Sequence, residues 1–178
     1  TQMKIKKTII VLLLCFLSIA SFAQKVGEVL SAWEEGYMDI HHINTGCGEC
    51  AYLILPDGTT MLIDAGENKA GIPRHVSPRP NASRTPGEWI VDYIKAVAPV
   101  QNQKLDYALI THFHSDHMGG VLKTKNESGR YYNTGIITVA ENLQISTLVD
   151  RGFPDYKFLV DTEDKMIKNY FNFLHFTK

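Results

Sequence analysis

Along the first half of the chain, apolar positions gather in short runs broken by turn residues. "YMDIHHIN" and "CAYLILPDGTTMLIDAG" read as strands: Ala51 to Leu55 is apolar, Pro56-Asp57-Gly58 is a turn signal and Met61 to Ile63 is apolar again, which predicts a β-hairpin. Thr85-Pro86-Gly87-Glu88 has the form of a capping box with proline at the first helical position. Trp89, Ile90, Tyr93, Ile94 and Val97 then fall at helical spacing, and Pro99 marks the end of that helix. "LDYALIT" predicts a short buried strand. Gly119-Gly120 and Val121-Leu122 predict a helix start, and "KTKNESGRYYNTG" a polar connection. "ISTLVDRG" predicts a strand ending at Asp150, and Asp161 to Phe173 an amphipathic helix capped by Asp161 or Thr162. Antiparallel strands followed by helix, strand, helix, strand and helix argue for an α/β layered domain without internal repeats.

Composition narrows this to one ordinary globular domain: 178 residues, 44% hydrophobic and 21% charged. The first stretch stands apart from the fold. "MKIKKTIIVLLLCFLSIASFAQ" combines a basic segment (Lys4, Lys6, Lys7), an apolar core from Ile9 to Phe16 and a small-residue site at Ser21-Phe22-Ala23. That is the pattern of a secretory signal peptide, residues 1–23, cleaved after Ala23 to leave a domain over 24–178 in an exported compartment. The apolar run is shorter than the roughly 20 residues a membrane span requires, so no stable anchor is expected after cleavage. Without the three leader lysines the chain holds 15 basic and 19 acidic residues, a formal net charge of −4. Such a balance gives no global reason to bind nucleic acid or an anionic membrane. Cys47 and Cys50 in "CGEC" remain, open to three readings: incidental thiols, a disulfide, or redox chemistry.

The chemistry concentrates in "LITHFHSDHMGG", residues 109–120. His112 and His114 are two apart, so in extended backbone both imidazoles point to the same side and can grip one ion. Asp116 and His117 follow at a turn, where a carboxylate and an imidazole could serve a second ion or orient a water; Asp116 is the candidate catalytic residue. Imidazole with one carboxylate suits Zn²⁺ best, with Mn²⁺ or Fe²⁺ as alternatives. The cluster follows a buried strand, and the C-terminal edge of strands in open α/β folds is where ligands gather. His41 and His42 are adjacent and face opposite sides of their strand, so they cannot chelate one ion together.

At these residues the chain resembles a known family. "THFHSDHMGG" matches the HxHxDH signature of the metallo-β-lactamase superfamily, and "TMLIDAG" is similar to the strand ending in aspartate that precedes it there. Within that superfamily the likeness is to the ComEC-type hydrolase domain of DNA uptake, on Gly46-Cys47-Gly48-Glu49, Pro56-Asp57-Gly58 and Leu62 to Gly66. Glu49 stands where those proteins usually carry aspartate. The resemblance implies an αββα sandwich with two zinc ions in the complete protein, His112 and His114 in the first metal site, and Asp116 and His117 in the second. It also implies that Asp64 is a structural acid holding the motif loop. The superfamily supplies further ligands later in the chain, whereas after residue 120 only His175 remains, in a motif that matches none of them. The resemblance therefore makes this an N-terminal half. Asp150 ends a strand as a ligand could, but reads better as structural.

The leading expectation is an exported metal-dependent hydrolase whose activated water attacks a phosphodiester or related ester. Its partner is a small-molecule or nucleic-acid-like anionic substrate. Arg74, Arg79 and Arg84 in the proline-rich stretch 71–87 could steer that substrate, although a solvated loop explains them too. The alternative, from a different class, is a non-catalytic metal-binding or interaction module with an incomplete site.

Overall fold

A computed structural model describes residues 26–46, 48–67, 76–77, 79–120, 123–156, 161 and 163–177. The chain divides into two units, Thr1–Ser31 and Ala32–Lys178. Of the first, residues 26–31 are described, an exposed turn and the residues that follow it. Residues 1–23, expected as a signal peptide, lie outside the described residues, as do Cys47, Arg74, Val121, Leu122 and Thr162.

The second unit is a five-stranded mixed sheet with helices packed on it. Its strands are β1 (Asp39–His42), β2 (Ala51–Ile54), β3 (Thr60–Ile63), β4 (Leu105–Leu109) and β7 (Ile145–Val149), in the order β1-β2-β3-β4-β7. β1, β2 and β3 run antiparallel, with Tyr52 opposite Leu62 across the hairpin. β3, β4 and β7 are parallel, which sets Leu62 beside Ala108 and Ala108 beside Leu148. Two short strands, β5 (Thr124–Lys125) and β6 (Tyr132–Asn133), form a separate antiparallel pair.

Four helices are described: α1 (Pro86–Val97), α2 (Ser115–Met118), α3 (Gly135–Asn142) and α4 (Lys165–Phe176). α1 opens on the expected capping box, Thr85 accepting from the Glu88 amide while the Glu88 carboxylate accepts from the Thr85 amide. Its apolar stripe, Ile90, Val91 and Ile94, meets Tyr52, Ile54, Leu62, Leu105 and Ala108 in one buried core that also takes in Ile136, Ile137 and Val139 of α3 and Ile167, Tyr170 and Phe173 of α4. α4 is fastened to β6 by a reciprocal pair: the Tyr132 amide donates to Asn169 Oδ1, and Asn169 Nδ2 donates to the Tyr132 carbonyl.

Strand alternation gives the sheet a second apolar face. Ile40, Leu53, Met61, Tyr107 and Val149 point away from the helices, and Ile40, Tyr107 and Val149 remain 55%, 45% and 41% exposed. One helical layer on one sheet, with apolar side chains on the sheet's outer side, is consistent with the partial metallo-β-lactamase fold that the resemblance implies.

Three expectations are corrected. The Gly119-Gly120 pair does not open a helix: α2 lies before it, and Gly119 at φ +90° ends it, a backbone conformation that stops a helix. The longer helix between β4 and β7 is α3, which begins at Gly135, the last residue of the stretch expected as a polar connection. The last helix is capped by Asp164, whose side chain accepts from the Met166 and Ile167 amides, rather than by Asp161. Asp161 instead forms the turn before it, accepting from the Glu163 amide.

Candidate metal centre

The parallel strands deliver the histidine motif and its supports to one rim of the sheet. β3 continues into Asp64, whose amide donates to the Leu109 carbonyl at 2.8 Å, and β4 continues into Ile110, whose amide donates to the Val149 carbonyl. Beyond these ladder bonds come Asp64-Ala65-Gly66-Glu67 on one side and His112 to His117 on the other.

The motif is then seated largely by backbone. The Glu49 amide donates to the Asp116 carbonyl at 2.8 Å, the Ala65 amide to His117 at 2.7 Å and the Glu67 amide to Ser115 at 3.0 Å. Gly48 and Gly66 make this approach sterically open, since a Cβ on either would collide with the Asp116 carbonyl oxygen. These are the glycines of the GCGE turn and of LIDAG, so both stretches act as a cradle for the turn that carries the ligand-type residues.

Asp64 is the most constrained side chain in the group. It is 1% exposed and holds φ +60°, a left-handed conformation uncommon outside glycine. Its Oδ1 accepts from the Thr111 amide at 2.8 Å; its Oδ2 accepts from Thr111 Oγ1 at 2.7 Å and lies 2.8 Å from His117 Nδ1. A carboxylate on Nδ1 fixes the imidazole ring and leaves Nε2 as the outward nitrogen. That Nε2 lies 4.0 Å from Asp116 Oδ2.

His112 stacks beside His117 with ring centroids 3.8 Å apart, and its Nε2 lies 3.1 Å from His114 Nδ1. Burial, and then the neighbouring His117 and His114, lower the pKa of His112 and favour its neutral form. Neutral imidazole is the form that binds a metal. Two nitrogens at about 2.0–2.1 Å from one tetrahedral ion lie roughly 3.3 Å apart, close to the His112–His114 separation. The donor set thus fits a divalent cation, through the His112–His114 pair and, beside it, Asp116 and the outward nitrogen of His117. Among the described residues no three of His, Cys, Asp and Glu are already grouped around one point.

The other candidate residues lie elsewhere. His41 Nδ1 lies 3.0 Å from the Tyr93 hydroxyl, under α1, and burial lowers its pKa against the opposing effect of Asp39. His42 is exposed on the other side of β1. His175 is exposed near the end of α4, edge-on to Phe176. Asp150 has its acceptor capacity filled by the Gly152 and Phe153 amides and by the Tyr156 and Tyr170 hydroxyls, ties that bind the end of β7 to α4. Cys50 is a buried free thiol whose pKa burial raises; this is the environment of an inert cysteine. Thr111 was not singled out from sequence, although its position directly before the first histidine was the available signal.

No curated protein and no solved structure matches this chain. Residues 44–129, which carry the hairpin, α1, β4 and the whole histidine motif, match the family model of the metallo-beta-lactamase superfamily.

Proposed function

We propose that the protein is an exported metal-dependent hydrolase acting on a phosphodiester or related ester. The superfamily match over residues 44–129 supports metal-dependent hydrolysis, and the resemblance of the sequence motifs to ComEC-type domains supports the phosphodiester. The observation that carries the reading is the pairing of His112 Nε2 with His114 Nδ1 at 3.1 Å beside a His117 whose Nδ1 is taken by buried Asp64. His112 and His114 would hold one ion, and Asp116 with His117 a second, zinc being the best match to this donor chemistry. When bound, such an ion polarises the attacked group and supplies an activated water. Asp64 holds His117 in one tautomer with Nε2 outward. Asp116, its side chain half exposed, would orient the water and take its proton.

The reading is tested on the purified full chain by metal analysis and by turnover of bis(p-nitrophenyl) phosphate, with His114→Ala alongside. Wild type is expected to retain zinc and cleave the ester, and the variant to lose both. Equal metal content in the two proteins overturns the site. A second reading, a metal-binding module without turnover, draws on the lack of a complete three-residue grouping among the described residues. Zinc retained by wild type without cleavage favours it.

A further inference from the structure

A cavity of about 510 Å³ opens between the 43–45 segment, the loop leading into α1 and the β5 segment. Arg79 and Arg84 from the loop before α1 and Lys123 from the β5 segment line it, on a protein whose formal net charge is −1. Two carboxylates share the wall, and both have backbone donors of their own. Glu88 accepts from the Thr85 amide at 2.7 Å in the capping box, and Glu67 accepts from the Gly120 amide at 3.3 Å. The first turn of α1 is likewise closed by its own cap, so Arg79 and Lys123, not the helix end, are the anion-seeking groups.

The same cavity has an apolar wall. Trp89 is half-buried there, its indole oriented by donation to the Asn81 carbonyl at 3.2 Å, and the Arg84 guanidinium sits 5.4 Å over its ring while Nη1 is held by Asp92 at 2.7 Å. Ile43 and Val76 extend this surface. Glu67 links the cavity to the candidate metal centre, because its amide donates to the carbonyl of Ser115, the first residue of α2, and its carboxylate accepts from the Gly120 amide just past the end of α2.

We infer that this cavity is a recognition site for a phosphate group joined to a planar or apolar body, the anionic part of the hydrolase's substrate. Arg79 and Lys123 take the phosphate oxygens, Arg84 stays with Asp92, and Trp89 takes the body. The inference rests on the hydrolase reading for its role, but the binding it describes can be measured without turnover.

The probe is adenosine 5′-monophosphate, titrated into the purified full chain by calorimetry, with adenosine as the uncharged control. Wild type is expected to bind the nucleotide at least about tenfold more tightly than adenosine, and the Arg79→Ala/Lys123→Ala variant to weaken it by about tenfold or more, with an unchanged circular dichroism spectrum. His114→Ala is expected to bind it as wild type does. Absence of binding, equal affinity for adenosine, or equal affinity in the double variant overturns the inference. So does loss of binding in His114→Ala, which would place the phosphate on the histidines. A chain that binds the nucleotide through Arg79 and Lys123 yet does not cleave the phosphodiester keeps this site while losing the reaction.

Discussion

Asp64 carries more of the site than its place outside the HxHxDH pattern suggests. It accepts twice from Thr111 and faces His117, from a left-handed backbone that few residue types adopt. Asp64→Asn is expected to lower zinc affinity by about 10–100-fold in competition with a chromophoric chelator; an unchanged affinity would remove its positioning role. Asp106 is a purely structural counterpart. Burial opposes its ionisation, yet bonds from Thr60, Lys104 and Asn102 hold its carboxyl down at about 2. Since the folded-state pKa lies below the ordinary 3.8, its contribution is full above that value and fades as pH falls toward 2. Asp106→Ala is expected to cost about 1–3 kcal/mol at pH 7, and the gap from wild type in urea unfolding should shrink below pH 4. A gap constant with pH would contradict the assignment. At this scale the metal-type residues were legible because their spacing is local. Asp106 and Thr111 were not, because their partners Thr60 and Asp64 stand 46 and 47 residues away.

At the scale of elements, legibility followed the strength of the local signal. The α1 capping box and the Pro-Asp-Gly hairpin combine turn chemistry with apolar periodicity, and both formed where expected. The segment 161–164 offers two aspartates, each a good N-cap, and only the packing of Ile167 and Tyr170 into the core decides for Asp164. The glycines after the histidines were misread for a related reason: Gly119 is needed for its positive φ and for its close approach to Gly135, neither of which periodicity records. Thr85→Ala is expected to cost about 1 kcal/mol through loss of the cap, measured by chemical denaturation; no loss would mean the box contributes nothing. Gly66→Ala forces a Cβ into the Asp116 carbonyl and is expected to cost about 1–3 kcal/mol or more. A neutral result there would show that the cradle can give way.

For the whole molecule, the α/β class was readable from element order, because parallel pairing of β3, β4 and β7 follows from the helical crossovers between them. The distribution of apolar residues over both sheet faces needed the strand registers. Metal binding should also register globally: at free zinc about 100 times the dissociation constant the folded state gains about 2.7 kcal/mol. The melting temperature should rise accordingly in wild type and stay fixed in a His112→Ala/His114→Ala variant; an equal rise in both would place zinc elsewhere. The backbone cradle has one more consequence. The amides of Glu49, Ala65 and Glu67 flank the hairpin but close their bonds on the carbonyls of Asp116, His117 and Ser115. Their hydrogen–deuterium exchange therefore reports the opening of the histidine turn from outside it, and should slow together when the histidines are loaded.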